Sequence, residues 1–226
     1  MNIKATLSLF VFITIGLSSY SQSRFGIFAG AQTSTAKYII NEKKQPRDHK
    51  YGFQAGFGWK IPFDNNLYFS PCAFYSLKGY NVRFNQYTFP PDSMATDNST
   101  TIHTFELAFL LQFDFGNQPS HFIIKAGPSL DFQLAGKERF HLQNGSMVDR
   151  NMPYGFEEYG HYTASLLMQL GVETKSGFMI FGQYNLGLGN LNNADGGPRI
   201  KHRVYGISIG KYLNNKKIVL DTRNKE

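Results

Sequence analysis

The stretch YGFQAGFGWKI, Tyr51 to Ile61, decides the fold class. Its odd positions carry Tyr51, Phe53, Ala55, Phe57, Trp59 and Ile61, and its even positions carry Gly52, Gln54, Gly56, Gly58 and Lys60. Alternation with period two describes a strand with one apolar and one polar face. A water-soluble barrel hides the apolar face in its core, whereas a membrane barrel turns it outward to lipid.

The same alternation recurs along the chain. Eight strand candidates run over 24–32, 50–61, 67–78, 101–115, 121–134, 159–172, 178–188 and 202–212. Most have the length of a tilted membrane-crossing strand. Short connections rich in Asp, Asn, Pro, Ser or Gly fall at 62–66, 116–120 and 173–177, and long ones at 33–49, 79–100, 135–158 and 189–201. Short turns on one rim and long loops on the other are the arrangement of an outer-membrane barrel.

The faces agree. In the fourth candidate Phe105, Leu107, Phe109, Leu111 and Phe113 line one side, against Thr104, Glu106, Ala108, Gln112 and Asp114, with Leu110 out of pattern. The fifth sets Phe122, Ile124, Ala126, Leu130 and Phe132 against Lys125, Gly127, Ser129, Asp131 and Gln133. Eight strands enclose an interior just wide enough for side chains. The small and polar face fits there, so the aromatic face looks at lipid. A lipocalin-like barrel needs the reverse arrangement. The expectation is therefore an all-β, eight-stranded antiparallel up-and-down transmembrane barrel with a closed polar interior and both termini periplasmic.

Composition supports this reading. The 226 residues include 21 Phe, 13 Tyr and 22 Gly, with 17% charged residues and a mean hydropathy of -0.31, which suits alternating strands rather than spanning helices. Residues 1–21 read as a signal peptide: Lys4 gives the positive region, 5–17 the apolar region, and Ser19 and Ser21 flank Tyr20 as a cleavage site. The barrel domain then spans 22–213, and 214–226 form a basic periplasmic tail. The single cysteine, Cys72, excludes an internal disulfide and reads as a structural thiol. A net charge of +7 on an exported chain points to acidic surface partners such as lipopolysaccharide phosphates and not to nucleic acid.

Four segments carry a family resemblance: SPCAFYSLKGY (70–80), TFELAFLLQFDF (104–115), IIKAGPSLDFQL (123–134) and HRVYGISIGKYL (202–213). In this order and spacing the chain resembles the PorT-like outer-membrane β-barrel family of Bacteroidetes. It departs at Ala108, where the family commonly has proline. The resemblance implies the barrel fold and an outer-membrane location, and little about activity. Insertion by the barrel-assembly machinery and a structural, binding or secretion- and assembly-related role at the cell surface are expected of the barrel itself.

Glu106, Lys125 and Asp131 share the inward parity and are expected to form a paired polar plug in the lumen, since a charge facing lipid at mid-depth costs about 2–4 kcal/mol. His49, His103, His141, His161 and His202 fall in or beside the long loops, without metal-ligand spacing. A lipid-modifying enzyme would need a set such as Ser165, His161 and Glu106, which lacks a supporting nucleophile motif. No catalytic residue, metal or cofactor is assigned. Basic residues concentrate in the first and fourth long loops. Lys43, Lys44, Arg47, Arg199 and Arg203 are expected to meet beside the seam of the first and last strands and to contact lipopolysaccharide. In the third loop, Asn144-Gly145 predicts a hairpin closed by a two-residue type I′ turn.

Overall fold

The computed structural model describes residues 23–85, 94–116 and 118–213; the expected signal peptide and basic tail lie outside them. Eleven strands form one antiparallel sheet: β1 (Arg24–Ile40), β2 (Lys43–Lys44), β3 (Arg47–Asp48), β4 (Lys50–Asp64), β5 (Leu67–Arg83), β6 (Asp97–Phe115), β7 (His121–His141), β8 (Met147–Asn151), β9 (Tyr162–Glu173), β10 (Phe178–Gly187) and β11 (Arg199–Tyr212). Eight of them form the wall in the order β1, β4, β5, β6, β7, β9, β10, β11. The ring closes because β1 pairs with both β4 and β11. Closure leaves the wall with no free edge, which a bilayer demands of any sheet that crosses it.

The three short turns each contain a residue in the left-handed region: Asn65 (φ 42°), Gly116 (φ 84°) and Gly177 (φ 81°). Asn and Gly are the residues that adopt it most readily. At the other rim several strands run well past their expected ends. β1 continues from Gln32 to Ile40, β5 from Lys78 to Arg83 and β7 from Leu134 to His141.

Solvent explains that difference. Below Thr33 the odd positions Ile27, Ala29 and Ala31 are apolar and exposed, as lipid requires. Beyond it the even positions Ala36, Tyr38 and Ile40 are buried, and Lys37 faces out. A strand leaving lipid for water reverses which of its faces is apolar. Its alternation changes parity without the strand ending.

The third loop does form a hairpin, with β7 paired to β8 from Lys137↔Asn151 to His141↔Met147. Its turn differs from expectation. Only Gly145 has positive φ (81°). The Gly145 amide donates to the Leu142 carbonyl at 3.0 Å, and the Leu142 amide to the Ser146 carbonyl at 2.9 Å. This is a three-residue loop, a turn followed by a left-handed glycine. The Asn144 side chain accepts from the Ser146 amide at 2.9 Å, so it caps the loop instead of sharing the left-handed conformation.

The interior is closed but not wholly polar. Phe28, Phe74 and Phe181 point inward, their ring centroids 5.8 Å (Phe28–Phe74) and 5.7 Å (Phe28–Phe181) apart, beside Leu110 and Leu167. Small residues opposite the rings make the room. Gly56 is the register partner of both Phe28 and Phe74, and Gly171 that of Phe181. A Cβ on Gly56 would lie 2.3 Å from the Phe74 Cβ.

Candidate functional site

The lumen is sealed in layers. Nearest the short-turn rim, the Lys60 ammonium lies 2.5 Å from Asp114 and 2.8 Å from Glu173, and Arg24 also pairs with Glu173. His121 Nε2 stands 3.0 Å from Asp114 and 3.7 Å from Glu173. Asp114, His121 and Glu173 are of metal-ligating types and converge within 4.8 Å. Lys60 and Arg24 already compensate both carboxylates, so the group stands as an ion-paired floor. Sequence reading missed it because it considered only the five loop-side histidines.

Above the phenylalanine layer, Gln54 and Gln183 clasp each other across the barrel. The Gln54 amide donates to Gln183 Oε1 at 2.7 Å, the Gln183 amide returns to Gln54 Oε1 at 2.5 Å, and Gln54 also donates to Ser208 at 2.8 Å. Higher still, Lys78 donates to Glu106 at 2.8 Å and to Asp131 at 2.7 Å. Asn185 reaches Glu106 at 3.0 Å and the Ser165 hydroxyl reaches Asp131 at 3.1 Å. A cavity of about 20 Å³ remains beside Phe28, Cys72, Lys125 and Phe181. That is space for about one water molecule.

The expected plug of Glu106, Lys125 and Asp131 is thus corrected in its cation. Glu106 and Asp131 come together, and Lys78 joins them. Lys125 is buried in the lumen, but its register partners are Gln112 and Gln169. It lies six residues from Asp131 on β7, roughly 20 Å along the strand. Its ammonium sits 5.8 Å from the Phe181 ring centre, with no carboxylate at salt-bridge distance among the described residues.

The long-loop rim carries a lid. Tyr38, Tyr80, Ile102, Met152, Leu191 and Ile200 pack as one buried cluster. At its side Glu138, fully buried, accepts from Arg150 Nη2 at 2.8 Å and Tyr159 at 2.5 Å. Burial, reinforced by Glu138, pushes the Tyr154 phenol up to about 12. Burial and the neighbouring Tyr80 and Glu138 hold the Tyr159 phenol well above its ordinary value. Both stay protonated donors at any physiological pH.

The residues imagined for an enzyme do not assemble. Ser165 donates to Asp131 inside, while the exposed His161 ring lies 5.6 Å from Tyr154 outside the lumen. The loop-side histidines are dispersed among separate partners: His49 by Tyr205, His103 by Tyr75, His141 by Asp97 and His202 by Tyr80. In the basic sector, Arg199 pairs with Glu42 at 2.6 Å, which ties the fourth loop to the first. Arg47 donates to the Ala36 carbonyl at 3.3 Å, Lys43 and Lys44 form β2, and Arg203 is the partner of Thr35.

Around the wall runs an exposed apolar belt that includes Phe53, Phe57, Phe109, Leu111, Ile124, Leu170, Ile180 and Ile207. The sequence matches the outer membrane protein beta-barrel domain family over residues 11–193. The chain belongs to that family. This outer-membrane barrel is accordingly a protein of the Gram-negative outer membrane, and its exposed belt is its lipid contact.

Solved barrels resemble it in architecture. Ail, the attachment invasion locus protein of Yersinia pestis, is 15% identical over 84% of this chain and 97% of its own, with a TM-score of 0.39. OprG from Pseudomonas aeruginosa is 15% identical over 84% and 95%, with a TM-score of 0.47. Neisserial surface protein A is 12% identical over 83% and 97%, with a TM-score of 0.40. No curated protein matches the sequence.

Proposed function

We propose that this outer-membrane barrel works from its surface and not through its lumen, as a structural, binding or secretion- and assembly-related protein of the PorT-like type. The observation that carries this reading is the Gln54–Gln183 clasp, which joins β4 to β10 across the interior between two ion-paired layers. In this reading residues 1–21 direct export in a Bacteroidetes cell, the barrel-assembly machinery inserts the chain, and the long-loop rim faces outward with lipopolysaccharide around it. Noncatalytic action fits the burial of Ser165 against Asp131. The alternative, a barrel enzyme acting on lipid, would require a nucleophile open to the membrane or the rim.

Planar bilayer recording tests the proposal. Purified folded protein is expected to give no stable conductance. Reproducible large steps that persist with the lid intact would overturn it.

A further inference from the structure

Chemistry along the outer face of β11 is graded. From mid-wall toward the long-loop rim its outward residues are Ile209, Ile207, Tyr205, Arg203, Lys201 and Arg199. Tyr205 lies 4.9 Å from Tyr184 in ring-centroid distance and is the partner of Thr33, whose neighbour on the other side is the outward Tyr51. This tyrosine group is the kind that marks the water boundary of a barrel. The cations begin one step above it.

Two of them oppose each other. Lys37 and Lys201 are register partners on β1 and β11, both exposed. Cross-strand partners stand about 5 Å apart, and like charges at that distance destabilise a sheet. Arg203 is two residues closer to the tyrosines, roughly 7 Å along the strand. Among the described residues none of the three has a carboxylate within salt-bridge distance, whereas Arg199, next in line, is neutralised by Glu42. Lys43 and Lys44 pair with Ile40 and Ile39, six or seven residues beyond Thr33, or roughly 20 Å along the strand.

We infer that Lys37, Lys201 and Arg203 form a clamp for a phosphate group of an outer-leaflet glycolipid. An anion between the two lysines relieves their repulsion, and a phosphate presents several oxygens to charge-assisted donors. The clamp sits where the tyrosines end, at headgroup height. Lys43 and Lys44 stand too far out to share that phosphate. This inference rests on the outward orientation of the long-loop rim given above.

Native mass spectrometry of folded protein in detergent at low salt can count bound lipid. Bisphosphorylated lipid A, its dephosphorylated form and inorganic phosphate serve as probes. The triple variant Lys37→Gln/Lys201→Gln/Arg203→Gln is expected to bind bisphosphorylated lipid A about tenfold more weakly than the parent. The control Lys43→Gln/Lys44→Gln should bind like the parent, and heat-modifiable migration reports that each remains folded. Equal binding by triple variant and parent overturns the clamp, as does equal binding of dephosphorylated lipid A. Inorganic phosphate competing at equal concentration would make it a site for the free ion and overturn the lipid assignment. Orientation is checked separately: an impermeant amine reagent on intact cells should label Lys43 and Lys44, and their protection would overturn the orientation instead.

Discussion

Glu106 on β6 and Asp131 on β7 are register partners whose carboxylates reach the same ammonium, that of Lys78 on β5. The trio is almost completely buried. Removing the cation would leave two adjacent carboxylates with no counter-charge. Lys78→Met is therefore expected to lower stability by about 3–5 kcal/mol. Urea titration of heat-modifiable migration reads this directly, and adding Glu106→Gln should recover part of the loss. Wild-type stability in Lys78→Met would refute the bridge.

Lys125 is expected to behave in the opposite way. It is buried beside a phenylalanine ring, without a carboxylate at salt-bridge distance among the described residues. Replacing such a cation with an apolar chain of similar volume is often neutral or stabilising. Lys125→Met should unfold at the same urea concentration as the parent or a higher one. A loss as large as that of Lys78→Met would show that Lys125 carries a structural bond.

Gly56 tests the phenylalanine layer. Gly56→Val should cost at least about 1–3 kcal/mol, the usual range for overpacking, because its side chain would occupy space held by Phe74. Pairing it with Phe74→Ala should not restore folding, measured as the fraction of heat-modifiable protein after refolding, because the Phe74 Cβ and Cα and the Ala73 carbonyl that the new Cβ would meet all remain. If the single variant refolds like the parent, the ring–glycine complementarity is absent.

The β7–β8 hairpin stands clear of the lipid belt, so damage there should stay local. Gly145→Ala places a side chain in a left-handed residue, at a cost of about 1–2 kcal/mol. Protease cleavage between Leu142 and Met147 on intact cells should quicken, with barrel migration unchanged. Unchanged cleavage would show the turn does not need glycine.

Much of this structure was legible in one dimension. Alternation across Phe105 to Phe113 gives strand type and lipid face, and the contrast of short and long connections gives the meander. Inward parity of Glu106, Lys125 and Asp131 is equally a property of each strand alone. Which cation meets which carboxylate is not. Lys78 sits at the end of its expected strand, and only the offset between β5, β6 and β7 brings it to Asp131. The inward phenylalanines escape for a related reason: the glycines that accommodate them lie on neighbouring strands. The extensions of β1 and β5 were hidden by the exchange of lipid for water, which reverses the apolar face at Thr33 and at Lys78.

The wall of the barrel is uneven in height. β1, β4, β5, β6 and β7 have 17, 15, 17, 19 and 21 residues, while β9, β10 and β11, which complete the ring, have 12, 10 and 14. All of them start from one level rim of short turns. The wall from β1 round to β7 therefore stands tallest above the bilayer, and it dips over β9 and β10, where the Gly160 amide donates to the Leu191 carbonyl and the loops cover the gap. In a crowded membrane, neighbours that carry bulky exterior parts are expected to meet strand on most sides and only loop above β9 and β10. Pressure on the β9–β10 side is thereby expected to fall on loops, and elsewhere on the sheet itself.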